Sequence, residues 1–331
     1  MDFTLSEDQE LLRDTARALL AAECTTSMLR AHIDDPAAAD PLWTHLREYA
    51  GLAGGPLTDH HLFLEELGYV AAPGPFFATT ALFAPLLGTV DHELLPAALA
   101  GEVTGTVALA GTDGRWRAND DPVKTFVPEA DRVDWVAVVS GEPAVTLLRN
   151  PPTRLVRTVD TTRRLFEVTV DASGSGEPLP ILPEELESIV EWATVALAAE
   201  MVGTARRLFD MTLAYAKERV QFDVPIGSFQ AVQHKLADMA LDLERATSAV
   251  QFAAMAHDAG DNDRHRATHV AKAAAGAAAT RAAKDGIHIH GGIGYTWEHD
   301  LHLFIRRAYG SEHWLGTRAE HHDLLAEELL I

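Results

Sequence analysis

The sequence predicts a mainly α-helical protein with a small β domain in its middle. Three observations carry this. Stretches at both ends repeat apolar residues near the helical period. Between residues 103 and 180 the texture changes to short β-branched runs separated by turn residues. From Glu184 onward a long proline-free stretch reads as one helix, and such length needs neighbouring helices to bury its stripe. The expected division is an N-terminal helical domain (1–102), a small antiparallel β domain (103–180) and a C-terminal four-helix bundle (181–331).

Taken in order, "FTLSEDQELLRDTARALLAAE" opens with Thr4 as an expected N-cap, Glu7 in the capping-box position and Phe3 as a staple. "PLWTHLREYAGLAG" is a shorter helix ended by glycine. Two more helices flank the break at Pro73 to Pro75, and a short one is expected over Asp91 to Ala100. "VTGTVALAG", "DWVAVVSG", "PAVTLLRN", "RLVRTVD" and "RLFEVTVD" read as strands, and "DASGSGEPLPILP" as a flexible exit. A long helix then runs toward Arg219, a second covers Phe229 to Asp258, and an alanine-rich third ends at the glycines after His290. A fourth begins near His299 and a last one closes the chain.

Composition excludes several function classes. The 331 residues are 47% hydrophobic and carry a formal net charge of -22. Nucleic acid and anionic membranes call for a basic surface, so neither is an expected partner. The single cysteine, Cys24, allows no intrachain disulfide and sits in an apolar run where packing explains it. No basic and apolar leader is present and no apolar run approaches a spanning length, so the expected location is the cytoplasm.

Residues with chemical potential cluster in the C-terminal half. His288, His290, His299 and His302, with Glu298, invite a metal, but HExxH is absent and no third ligand has a compelling place, so no metal is expected. Gly291, Gly292 and Gly294 follow a helix. They serve either as a C-cap or as a place where backbone N–H groups approach a phosphate. Arg219, Gln221 and Phe222 stand at a helix end, with Gln230, Gln233 and His234 opening the next helix. Arginine there is either a cation favoured by the helix dipole or a holder of pyrophosphate. Glu191, Glu200, Glu218, Glu244, Glu298 and Glu312 are candidate carboxylates. Glu200 stands out among apolar neighbours, as a raised-pKa group or as the partner of Arg206, Arg207 or another chain.

"YAKERVQFDVPIGSFQAVQHKLADM" (215–239) and "IHIHGGIGYTWEHDLHLFIRRA" (287–308) closely resemble two signature segments of the acyl-CoA dehydrogenase family. "FLEELG" (63–68) and the overall plan resemble it too, so the likeness covers nearly the whole chain. The resemblance implies FAD as cofactor and removal of hydrogens from Cα and Cβ of an acyl-CoA, with electrons passed to an electron-transfer flavoprotein or similar acceptor. It also implies cofactor contacts at Arg219, Gln221, Phe222, Gln230, His288, Gly291 and Gly292, with Arg219 reaching a neighbouring subunit's pyrophosphate. Asp223 replaces the glycine usual after the phenylalanine.

The departures say more. "RRAYGSEHWLGTR" keeps Trp314, Gly316 and Thr317 but has Leu315 where the family's base, a glutamate, usually stands. The alternative base position falls on Ala193, beside Thr194, so neither usual place supplies a proton acceptor. Glu191 lies two residues away, about 200° around a helix. The flavin-contact loop of the family's β domain is also missing, because "TGTVALAG" passes directly to "TDGRWRANDDPVKTF". No catalytic residue is therefore expected here, with Glu200 the one displaced-base candidate. The pattern resembles the shorter partner subunit of actinobacterial α2β2 acyl-CoA dehydrogenases that act on steroid side-chain CoA thioesters, as in cholesterol breakdown. The resemblance then implies a larger homologous partner that supplies the glutamate. A self-sufficient homomeric dehydrogenase and a non-enzymatic scaffold are the alternatives.

Overall fold

A computed structural model describes residues 3–141, 144–170 and 176–330. Helix α1 (Glu7–Glu23) is capped by Ser6, whose Oγ accepts from the Gln9 N–H at 3.2 Å while Gln9 Oε1 accepts from the Ser6 N–H at 3.1 Å. The capping box therefore sits two residues beyond the expected Thr4–Glu7 pairing. Ser-x-x-Gln satisfies the same two backbone donors, and Glu7, Asp8 and Glu10 then complement the helix dipole. Next come α2 (Thr26–Asp34), α3 (Asp40–Leu46) with a 3-10 extension to Gly54, and α4 (Leu57–Val70). Beyond the Pro73–Pro75 break a π-helical turn leads into α5 (Ala84–Thr89), and α6 (Leu95–Leu99) covers only the second half of its expected span.

The β domain holds β1 (Gly105–Ala108), β2 (Val123–Pro128), β3 (Trp135–Val139), β4 (Val145–Leu148), β5 (Thr153–Val156), β6 (Leu165–Thr169) and β7 (Glu177–Leu179). They form one sheet in the order β1-β3-β4-β7 and another in the order β2-β6-β5, all antiparallel except β1 with β3. Val127, Val136, Val138, Phe166 and Val168 build a small core of their own in this domain. β2 and β7 went unanticipated. β7 comes from the expected exit segment, whose residues 171–175 lie outside the described ones. It pairs with β4 through Glu177–Leu147 and Leu179–Val145.

The bundle comprises α7 (Pro183–Glu218), a hairpin of β8 (Val220–Gln221) and β9 (Val224–Pro225), α8 (Gln230–Asp258), α9 (Arg264–His290), α10 (Leu301–His313) and α11 (Arg318–Glu328). Two glycines let α4 press against α7. A Cβ on Gly68 would lie 1.9 Å from the Glu200 carbonyl oxygen, and one on Gly203 would lie 1.8 Å from that of Glu65. Any side chain there would force the helices apart. Alanines such as Ala271, Ala275, Ala279 and Ala283 give α9 the same close fit to its neighbours.

A buried ionic knot ties the three regions together. Both oxygens of Glu200, on α7, accept from Arg163 Nη2 at 2.5 Å, and Oε1 also accepts from Arg307 of α10. Arg307 Nε reaches Asp160 at 2.8 Å, and its Nη2 donates to the Ala71 carbonyl just after α4 at 3.2 Å. Arg206 and Arg207, the expected partners of Glu200, are engaged elsewhere. Arg206 pairs with Glu65, and Arg207 lies over the rings of Tyr69 and Phe304. Arg207 shares Glu200's face of α7 but lies two turns further on, whereas the true partners come from the β domain and α10, contacts no local spacing reveals. No described helix is long and apolar enough to cross a membrane.

Candidate functional site

The end of the bundle where α7 stops is open. The Arg219 N–H closes α7 on the Tyr215 carbonyl at 2.9 Å, and the chain turns at once into the β8–β9 hairpin. Its two loop residues, Phe222 (φ 53°) and Asp223 (φ 62°), are both left-handed, as a tight primed hairpin turn requires. Asp tolerates that conformation, so it can stand where the family has glycine. Phe does not tolerate it well, and Phe222 is 88% exposed, with an edge-on contact to the Phe229 ring at 6.2 Å, so little packing compensates the strain.

The start of α8 and the end of α9 meet the end of α7. Tyr215 stacks on His290 with centroids 4.4 Å apart, and Lys235 Nζ holds Asp285 at 2.5 Å. Arg219, Gln221, Phe222, Gln230, His288, Gly291 and Gly292 thereby come to one end of the bundle. Arg219, Gln221, Gln230, His288 and Gly292 are exposed. The Arg219 guanidinium has no side-chain partner among the described residues, whereas Gln221 Nε2 donates to the Val220 carbonyl at 2.8 Å. A Cβ at Gly291 or Gly292 would meet nothing within 4 Å, so the backbone there is open to an approaching group. Tyr295 and Trp297 add exposed rings nearby. A free guanidinium, uncovered backbone and exposed aromatic faces fit an anionic, planar ligand held against a second surface.

The remaining histidines of this end pack as rings: His299 meets the His290 ring edge-on at 4.9 Å, and His302 meets Trp297 at 4.6 Å. Among the described residues, no group of three His, Cys, Asp or Glu side chains is arranged to hold a metal. Glu218, Glu244 and Glu298 are exposed, while Glu312 Oε1 accepts from the Arg318 N–H at 3.0 Å.

At the other end of α7 lies a cavity of about 570 Å³, walled by residues 114–118, the starts of α7 and α9, and the link from α10 to α11. Leu315 is on its wall in a left-handed conformation (φ 57°). Lys272, fully buried, donates to the Gly316 carbonyl at 2.6 Å and the Glu312 carbonyl at 3.2 Å, and so shapes this link; burial lowers its pKa to about 8. Trp314 packs between Phe77 and Trp116, with the Arg163 guanidinium 4.5 Å over its ring. The segment between β1 and β2 thus lays Trp116 against the turn bearing Leu315.

Ala193 is fully buried and absent from this wall, where Val190, Glu191 and Thr194 stand instead. The angle that separates Glu191 from Ala193 is what turns Glu191 into the cavity. Its Oε1 is 2.5 Å from His265 Nδ1, and burial raises its pKa against that pairing. Glu200 is closed off as a displaced base, since two guanidiniums occupy its oxygens. Sequence reasoning missed His265 and His269. Their i,i+4 spacing on one face of a helix was the available signal. His321, Arg163 and Arg307 had none.

The helical bundle with a β insert is the architecture of a class of flavin-dependent dehydrogenases. Residues 187–330 match the model of the acyl-CoA dehydrogenase C-terminal domain. Acyl-CoA dehydrogenase IpdE2 of Mycolicibacterium smegmatis is 33% identical over 328 residues, covering 96% of this chain and 97% of that protein. The chain belongs to the acyl-CoA dehydrogenase family. Among solved structures, the Tcur3481-Tcur3483 steroid ACAD G363A variant superposes with a TM-score of 0.88 at 26% identity, over 99% of both chains. The ChsE4-ChsE5 complex from Mycobacterium tuberculosis shares the fold with a TM-score of 0.85 at 23% identity, over 100% of this chain and 99% of that one. The same fold occurs in an FAD complex of PigA, with a TM-score of 0.82 at 20% identity over 99% of both chains.

Proposed function

We propose that this chain is the half-site subunit of a heteromeric, FAD-dependent acyl-CoA dehydrogenase, completing the cofactor site of a larger homologous partner that supplies the catalytic glutamate. The observation that carries the reading is a contrast within one molecule. The open end presents Arg219 without a side-chain partner among the described residues and uncovered backbone at Gly291 and Gly292, while Leu315, where the family resemblance puts the base, offers no proton acceptor. When bound, FAD supplies the acceptor for a hydride from the acyl β-carbon.

This chain's part is to hold. Arg219 neutralises a diphosphate with charge-assisted hydrogen bonds, and Gly291 and Gly292 let the backbone approach it. Gln221, Gln230 and His288 add polar contacts, and Phe222 covers a flat face. Leu315 accepts no proton, so α-proton abstraction falls to the partner. The likeness to IpdE2 supports an acyl-CoA substrate, and the likeness to a steroid ACAD structure supports a steroid-derived one; the likeness to a two-protein complex supports a heteromeric assembly, here taken as α2β2. Electrons then pass to an electron-transfer flavoprotein or an equivalent carrier in the cytoplasm.

Co-expression with a larger acyl-CoA dehydrogenase homologue tests this. The complex carries flavin and reduces an artificial acceptor with a bulky cyclic acyl-CoA. Changing the partner's glutamate to glutamine abolishes turnover and leaves flavin bound. A stable, fully flavinated and active homotetramer of this chain alone would overturn the reading.

A further inference from the structure

Helix α11 is docked by a titratable side chain. A terminal helix is ordinarily held by its apolar residues, yet Leu324, Leu329 and Leu330 are exposed. Among the described residues of α11, the one buried side chain is that of His321. Its Nε2 lies 2.9 Å from the Leu315 carbonyl oxygen, and its Nδ1 lies 3.0 Å from His269 Nδ1 on α9. Gly316 makes room for the ring, since a Cβ there would lie 2.8 Å from His321 Nε2.

This geometry fits two neutral imidazoles. A carbonyl oxygen only accepts, so His321 carries a proton on Nε2. A neutral His321 then accepts at Nδ1, and the donor is His269 Nδ1–H. One added proton is absorbed only if His269 changes tautomer. With both rings charged, two N–H groups face each other and the contact is lost. Lys272 and His265 of α9 oppose positive charge here, while Glu320 and Glu328 of α11 and Glu187 of α7 favour it. Arg115 acts on Glu320, and the nearby wall adds Arg117, Glu191 and His313. Burial outweighs the carboxylates: it lowers His321 to about 4 and holds His269 below its ordinary value.

We propose that α11 is a latch that acid releases, docked over the Leu315 link while His269 and His321 are neutral and freed when they take up protons. A freed His321 titrates near 6.5. Below that pH the released helix binds a proton that the docked one refuses, so docking weakens by up to about tenfold per pH unit down to 4. Glu320, His321 and Leu324 belong to the cavity wall, so release opens the cavity on that side. All these groups belong to this chain, so the latch does not depend on what occupies the open end of the bundle.

Hydrogen exchange of the chain, read by mass spectrometry at pH 8 and pH 6 and corrected for intrinsic rates, tests this. A helix of 11 residues is marginal in water by itself, so its amides are protected only while it is docked. Protection of α11 should fall roughly fourfold between the two pH values from His321 alone. His321→Gln offers Leu315 a donor and His269 an acceptor but does not titrate, so most of the fall should disappear. Nitrogen NMR of the imidazoles gives a readout that needs no substitution. The Nδ1–H···Nδ1 bond couples two ring nitrogens, and that coupled pair should stay neutral at pH 6. Equal α11 protection at the two pH values, no protection at either, an undiminished fall in folded His321→Gln, or a coupled pair that titrates near 6.5 would overturn the proposal.

Discussion

The two ends of α7 have opposite characters. Glu191, near its start, and Glu218, its last residue, lie about 40 Å apart along the helix axis. At the first end most polar groups find partners within the chain: Glu191 with His265, Lys272 with two carbonyls, and Glu200, further along, with two arginines. At the second end Arg219 has no side-chain partner among the described residues and Phe222 is strained and exposed. Burying charge is tolerated only when it is paired, so the first end is determined by this chain alone. The second end is left to be completed from outside. One helix therefore separates what the subunit does for its own stability from what it offers a ligand.

Acid should break this contrast most completely, by removing the self-contained side. Burial lowers His60 to about 3, and His32, His257 and His321 to about 4. Their unfolded values lie near 6.5, so below that pH the unfolded chain takes up protons that the folded chain refuses. Their contribution is complete above pH 6.5 and declines as pH falls toward 4, by roughly 3 kcal/mol each. Together that is comparable to a whole domain's margin of about 5–15 kcal/mol. Far-UV circular dichroism should show cooperative unfolding between pH 6.5 and 4. Native ellipticity and near-UV signal retained at pH 4 would contradict it.

Glu200→Gln probes the same side with one substitution. It leaves two buried guanidiniums, Arg163 and Arg307, with a neutral amide between them and Asp160 as their one remaining carboxylate among the described residues. Breaking a buried pair by losing one member costs about 3–5 kcal/mol. Urea unfolding should show that loss, whereas Arg219→Ala should stay within about 0.5 kcal/mol of wild type. Equal stability of Glu200→Gln and wild type would mean that the knot is not a structural anchor.

The same division governs what was legible in the sequence. Helices, most strands and the cofactor-type residues depend on local periodicity and on contiguous segments, and these were readable. The knot was not, because Glu200 meets Arg163 and Arg307 across 37 and 107 residues, and apolar neighbours give no hint of which cation arrives. β7 was masked by proline and glycine, since its three residues are strand only because β4 offers an edge. The cavity histidines escaped notice because His269 and His321 become a pair only once α11 folds back on α9.

At the open end the effects are smaller and concern ligand, not fold. In the partner complex, Arg219→Ala should weaken flavin binding by about 1.5–3 kcal/mol, the worth of hydrogen bonds to a charged group. Arg219→Lys should recover part of it, because an ammonium lacks the planar fork. Flavin titration of apo-complex reads both. Unchanged affinity in Arg219→Ala would return the residue to the role of a helix-end cation.

The smallest effect is the most diagnostic of geometry. Asp223 sits at φ 62° on the hairpin tip, a conformation glycine adopts freely and Asp only tolerates. Asp223→Gly relieves that strain but gives the unfolded chain more freedom, so the two should nearly cancel and stability should shift by only a few tenths of a kcal/mol. The charge does not cancel. If the tip faces a diphosphate, removing a carboxylate from it should tighten flavin binding about threefold at low salt, as expected of an exposed, solvent-screened charge. The gain should fade as ionic strength rises and the Debye length shrinks to about 3 Å at 1 M. A gain independent of salt would place its origin in backbone freedom instead. Weaker binding in Asp223→Gly would show that the carboxylate makes a contact of its own and that the hairpin does not face the phosphates.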